Sequence, residues 1–257
     1  MESENLNLNF ENQIINIKKP LGWSSFDVVA KFRSKYKLKK VGHAGTLDPL
    51  ATGVLLLATG AATKQISTIQ ELEKEYQATF VLGVTTASLD TEFFPVEFQD
   101  TRKIDPELIQ KIIREKFIGE IQQYPPAYSA IKINGQRAYS LARSGADFED
   151  QITAKSVRIK SFEVSDFELL KPEVLPYNAP NLRQYQKGIN TLQTIDWQKL
   201  PKRIKMLSFR TTIVCSKGTY IRSLVKDLAA NLHTTGYILE LKRTRIGDYL
   251  ISDSLEI

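Results

Sequence analysis

The stretch Gly42-His43-Ala44-Gly45-Thr46-Leu47-Asp48-Pro49-Leu50-Ala51-Thr52-Gly53 sets a carboxylate among three glycines and a proline, just before the apolar run Val54 to Thr59. Glycine reaches positive φ and lets backbone approach closely, and proline fixes the chain just after the acid. Val41 to Gly53 therefore reads as a shaped loop, and Val54 to Thr59 as the buried strand that presents it. Such a loop can hold Asp48 in one orientation. A carboxylate nucleophile or base needs that fixed position before its ionisation is tuned. On spacing alone a commoner role is the stronger reading, an Asp that bonds local backbone amides in a turn.

Outward from this loop, Lys19-Pro20-Leu21-Gly22-Trp23 reads as a turn. Ser24 or Ser25 then caps a helix with Val28, Val29, Phe32 and Tyr36 on one face and lysines on the other. Tyr76 to Val84 reads as a strand, and Asp105-Pro106 opens a helix that turns Leu108, Ile109, Ile112, Ile113 and Phe117 to a core. Asn134-Gly135 marks a hairpin leading into a short helix that stops near Gly145. Val157 to Leu170 and Ser208 to Cys215 alternate as strands do, and Ile221, Leu224, Val225, Leu228 and Leu232 mark a helical face closed by Gly236. Strands and helices are mixed without a regular alternation, which favours an α+β class over a doubly wound parallel sheet. Residues 171–205, with four prolines, many Asn and Gln and weak periodicity, read as an inserted surface excursion.

With 257 residues, 42% hydrophobic and 25% charged, the chain can bury a sizeable core. No basic region followed by an apolar stretch opens it, and no apolar run is long enough to cross a bilayer, so a cytoplasmic protein is expected. A single cysteine, Cys215, excludes an internal disulfide framework, and with two histidines it leaves little for a zinc site. The formal charge of +6 is unevenly placed. Residues 16–64 carry nine Lys/Arg against two acids and residues 199–245 eleven against two, whereas 70–100 carry seven acids and one lysine. Concentrated cations suit a polyanion, because each neutralised phosphate releases counterions. Solvated lysine faces are the plainer reading of any single one.

Cys215-Ser216-Lys217-Gly218-Thr219-Tyr220-Ile221-Arg222-Ser223-Leu224 joins a strand to a helix and puts Arg222 in the first helical turn. A cation is unfavourable there against the helix dipole, so a carboxylate or phosphate partner is expected, and Asp48 is one candidate. Tyr220 offers a ring face or a hydroxyl to a bound base, or simply packs in the core.

These residues resemble the TruB family of pseudouridine synthases. The resemblance runs in family order through Lys19 to Ser25, Val41 to Lys64, Tyr124 to Lys132, Gly135 to Gly145, Cys215 to Leu224 and Leu239 to Gly247. It implies a mixed, largely antiparallel central sheet flanked by helices, with a central RNA-binding cleft. It also implies isomerisation of the T-loop uridine, position 55 of tRNA, without metal or cofactor. Asp48 carries over as the catalytic carboxylate and Arg222 as its partner. Tyr76 carries over as the residue that stacks on the flipped uracil, His43 as a contact to the RNA loop, and Tyr220 and Leu241 as substrate contacts in the pocket. The partner implied is the tRNA T-arm, with no membrane and no obligate protein partner, and a monomer is the default. The expected organisation is one catalytic domain over residues 1–257 with the 171–205 insertion and no separate C-terminal RNA-binding (PUA) domain. Two other readings compete, an RNA-binding protein or chaperone without chemistry and a related synthase acting on ribosomal or guide-directed RNA. A phosphate-loop enzyme fails on glycine spacing.

Overall fold

The computed structural model describes residues 9–93, 95–171 and 204–257. Two compact units emerge, one built from residues 1–72 and 243–257 and the other from 73–242. Almost all of the expected 171–205 excursion, residues 172–203, lies outside the described residues.

The first unit holds β1 (Ile14–Lys19), α1 (Ser25–Lys35), β2 (Val41–Ala44), β3 (Ala51–Thr59) and α2 (Ile66–Glu71). β3 pairs antiparallel with β1 from Ile14↔Ala58 to Lys19↔Gly53, and with β2 from Val41↔Thr59 to Ala44↔Leu56. With partners for both edges, β3 buries nearly its whole length, which is why it reads as an unbroken apolar run instead of an alternating one. Val41 to Gly53 was expected to be all loop. Its two ends instead extend the ladder as β2 and the start of β3, leaving residues 45–50 as the connection. α1 buries Val28 and Phe32 against Ile15, Ile17, Leu55 and Leu57, with Phe10 closing the cluster.

The second unit opens with β4 (Lys74–Leu82), β5 (Val84–Thr86), β6 (Pro95–Phe98), α3 (Pro106–Lys116) and β7 (Gly119–Gln123). There follow the hairpin β8 (Lys132–Ile133) and β9 (Gln136–Arg137), then α4 (Ala138–Arg143), β10 (Lys155–Leu170), β11 (Met206–Cys215) and α5 (Ile221–Asn231). β12 (Gly236–Ile246) begins in this unit and ends in the first, where β13 (Tyr249–Leu250) pairs with it. The strand order is β1-β3-β12 in the first unit and β12-β4-β11-β10-β7 in the second. The pairings that link β4 to β11, β11 to β10 and β10 to β7 are all antiparallel, in keeping with the α+β class. Phe80 and Phe209 face each other across β4 and β11 with ring centroids 5.8 Å apart, and Phe162 and Phe117 extend this aromatic core. Asp105 caps α3 through the amide of Glu107, with Pro106 at the first helical position.

Gly236 does not close α5. That helix stops at a C-cap on Leu232, followed by His233 at φ 53°, a left-handed position that histidine tolerates better than most residues. Gly236 starts β12, and a Cβ there would lie 3.1 Å from side-chain carbons of Ala229 and Leu82, so its small size serves packing.

Gly53 is the tighter case. Its φ is +104°, and an added Cβ would stand 2.1 Å from the carbonyl oxygen of Arg243. Both the conformation and the backbone approach exclude a side chain, so Gly53→Ala is expected to lower the unfolding free energy by about 3 kcal/mol or more. Gly135→Ala, at φ +85° in open space, should cost only about 1–2 kcal/mol. Denaturant titration of the two variants against the parent measures both values.

Candidate active site

Asp48 sits between β2 and β3 in a short connection held from three directions. Leu47 is buried while Thr46 is exposed and Asp48 half-buried, so the loop is pinned by its leucine and Asp48 keeps part of its surface open. Ser25, fully buried, accepts the Leu47 N–H at 2.9 Å and donates its hydroxyl to the Leu47 carbonyl at 3.2 Å. The cap of α1 is Ser24, whose side chain accepts from the Asp27 amide while Asp27 accepts from the Ser24 amide. The adjacent serines thus divide the work, one starting the helix and the other fixing the loop.

Lys19 approaches from β1. It is fully buried, and its Nζ donates to the carbonyls of Pro20 at 2.9 Å, Trp23 at 2.6 Å and Pro49 at 3.1 Å. Three acceptors match the three protons of an ammonium. Burial pushes the Lys19 amine down to about 8, with the Asp48 carboxylate opposing that shift and the Arg243 charge adding to it. The Gly22 amide also donates to the Pro49 carbonyl, at 2.9 Å, so the turn seen in sequence abuts the residue after Asp48.

Arg243 closes the third side. Its guanidinium is buried and donates from Nε to the Val54 carbonyl at 2.7 Å and from Nη2 to the Gly45 carbonyl at 3.0 Å, bracketing the stretch that contains Asp48. His43 on β2 is half-buried, and burial, then the Arg243 charge, lower its pKa, so its imidazole is neutral at neutral pH. The ring lies edge-on to Phe26 at 5.4 Å, and its Nδ1 is buried without a hydrogen bond among the described residues.

The remaining expected residues lie in the second unit. Tyr76 is buried on β4 opposite Ile213 of β11, and Leu241 is half-buried on β12. Tyr220 is the N-cap of α5, and the buried amide of Gln123 on β7 fixes its backbone, accepting the Tyr220 N–H at 2.7 Å and donating to its carbonyl at 3.1 Å. Arg222 is buried at the second position of α5 and donates to the carbonyls of Ser88 at 3.0 Å and Tyr128 at 2.9 Å. Asp90 Oδ2 lies 3.9 Å from its Nε, so within this unit a carboxylate offsets a cation at a helix start. Asp90 is itself set by Ser88, which donates to it at 2.5 Å, and by the Glu92 amide at 3.0 Å.

Sequence reading singled out Asp48, His43, Tyr76, Tyr220, Arg222 and Leu241 but missed Lys19, Ser25, Arg243, Gln123 and Asp90 as parts that hold them. Among the described residues no group of three or more His, Cys, Asp or Glu could hold a metal ion, and no helix is long and apolar enough to cross a membrane.

Residues 33–175 match the family model described as TruB family pseudouridylate synthase, N-terminal domain. The tRNA pseudouridine synthase B of Bacteroides fragilis is 40% identical over 256 residues, 97% of this chain and 93% of the relative. The chain belongs to the TruB family. Proteins of the same name from Chloroherpeton thalassium and Flavobacterium johnsoniae are 38% and 39% identical over 95% and 96% of the chain, and 87% and 93% of their own lengths. Among solved structures, a chain of a Cbf5-Nop10-Gar1 complex is similar with a TM-score of 0.61 and 25% identity. That match covers 96% of this TruB-family chain but only about half, 53%, of the other.

The serine pair separates loop fixation from helix capping. Ser25→Ala leaves the Leu47 N–H and carbonyl without that partner, and should lower the unfolding free energy by roughly 1–3 kcal/mol. It should also speed amide hydrogen exchange at Leu47. Ser24→Ala should cost about 1 kcal/mol and leave the Leu47 rate unchanged. Exchange measured residue by residue on both variants checks the division.

Proposed function

We propose that this TruB-family chain isomerises the T-loop uridine of tRNA to pseudouridine, with Asp48 as the catalytic carboxylate. The reaction breaks the glycosidic bond to N1, turns the uracil and rejoins it to the ribose through C5, with the C5 proton lost and N1 protonated, so the formula is unchanged and no redox partner is required. The observation that carries the reading is the Asp48 connection. Ser25, Lys19 and Arg243 fix its backbone while Asp48 is only half-buried, as a group that must meet a nucleoside in one orientation requires. Identity near 40% over 97% of the chain to a tRNA pseudouridine synthase B supports the same substrate.

In this reading the target base leaves the RNA stack and is received by Tyr76, which replaces the stacking lost on flipping. Tyr220 and Leu241 contact the substrate, His43 meets the RNA loop, and Arg222 is the second catalytic residue. The basic stretches hold phosphates and set the register, while the pocket selects the base. The protein works in the cytoplasm as a monomer, with no metal, cofactor or obligate protein partner, and the chain is a single catalytic domain carrying one insertion.

Pseudouridine mapping on unmodified tRNA is the test. The parent should convert the T-loop uridine alone, and Asp48→Asn should lower turnover at least about 1,000-fold while tRNA binding stays within a few-fold. Retained turnover would remove Asp48 from the chemistry, and conversion of ribosomal RNA in place of tRNA would reassign the substrate. Tyr76→Leu should bind tRNA but turn over roughly 10- to 100-fold more slowly in single-turnover kinetics, the loss expected for one aromatic–base stack. An unchanged rate would refute that role.

A further inference from the structure

α1 has two faces. Ser25, Val28 and Phe32 point into the first unit, while Phe26, Ala30 and Arg33 follow one another at helical spacing on the outside, and Lys37 is exposed just past the helix, where the chain turns away at φ 51°. Phe26 is 71% exposed. A single exposed phenyl is ordinary on a protein surface. This one stands in unusual company, because its ring meets the edge of His43, at 87° between planes, on the strand that leads into the Asp48 connection.

The charge around it is one-sided. Residues 26–40 hold six cations, at positions 31, 33, 35, 37, 39 and 40, against one acid, Asp27, which the Ser24 cap already engages. All six are exposed, and among the described residues none makes an ion pair. Six like charges on one short segment repel one another, and a polyanion laid along them relieves that repulsion. The neutral imidazole of His43 adds no charge to the aromatic pair, so the pair offers π surface while the cations follow along the helix.

We propose that the outward face of α1 is an RNA-docking surface, on which Phe26 stacks with an unpaired nucleobase while Arg33 and Lys37 hold neighbouring phosphates. From Phe26 to Arg33 the helix rises roughly 10 Å, so aromatic and cation address different nucleotides of one strand. An unpaired base is specified because bases in a duplex do not present their faces to a side chain. The surface deepens the reading of this chain as a tRNA-modifying enzyme and rests on it, but it can be measured apart from turnover.

The test is a binding titration of the full chain with two labelled RNAs, a T-arm hairpin and a fully paired duplex of the same length, alongside the turnover assay on tRNA. Phe26→Ser should weaken hairpin binding about 5- to 50-fold and leave duplex binding within twofold, while Phe26→Tyr, which keeps the ring, should restore hairpin binding to within about twofold. The double variant Arg33→Glu, Lys37→Glu should weaken both RNAs and flatten the dependence of affinity on salt. Hairpin binding by Phe26→Ser equal to the parent's would overturn the proposal, as would binding of anionic lipid vesicles in place of a Phe26-dependent RNA complex. A parent that binds the hairpin through Phe26 yet makes no pseudouridine would refute the proposed reaction and leave the surface standing. A parent that turns over tRNA with Phe26→Ser unaffected in binding would do the reverse.

Discussion

The bond from the Arg243 guanidinium to the carbonyls of Gly45 and Val54 is the constraint on which the Asp48 connection depends. A six-residue connection between two strands has backbone groups that neither ladder can satisfy. Buried, each of them costs free energy unless something supplies a partner. Arg243 serves one end, Ser25 the middle and Lys19 the residue after Asp48, so the backbone is satisfied by side chains from β12, α1 and β1 in turn. The two cations carry a cost of their own, visible in the lowered pKa of Lys19, and the carbonyls they hold offset it. Gly53 belongs to the same arrangement, because only a residue without Cβ lets the carbonyl of Arg243 come so close.

The second unit uses the same device with different residues. Arg222 bridges the carbonyls of Ser88 and Tyr128 beside Asp90, and Gln123 holds the backbone of Tyr220 at the start of α5. In both units the candidate residues stand next to buried polar side chains whose bonds run to main chain. Main-chain acceptors do not rotate away, so such bonds fix position more firmly than pairs of flexible side chains.

Much of this fold could be read from local pattern. The helix after Asp105-Pro106, the Asn134-Gly135 hairpin and the long strand ending at Leu170 stand where periodicity and turn residues put them. Local reading failed where distant residues decide. Residues 41–44 look like loop because Gly42 and His43 are poor strand formers, yet the edge of β3 recruits them as β2. Gly236 looks like a helix stop, but its small size answers to Leu82, Val225 and Ala229. Asp48 and Arg222 were singled out through motif and resemblance. Lys19 and Arg243 were not, since a lysine in a turn and an arginine on a strand read as solvated charge until their acceptors are seen.

Those acceptors also bear on how the molecule is made. Val54 and Arg243 are 189 residues apart in the chain. A ribosome releases the Asp48 connection close behind Ser25 and Lys19, but the arginine that brackets it emerges only after β4 to β11 and α5 have been made. Closing so long a loop is entropically slow beside forming α1 or the β8–β9 hairpin. The nascent chain therefore carries Asp48 on an unlocked segment until β12 has been made, so a strand translated long after the connection is the one that completes it.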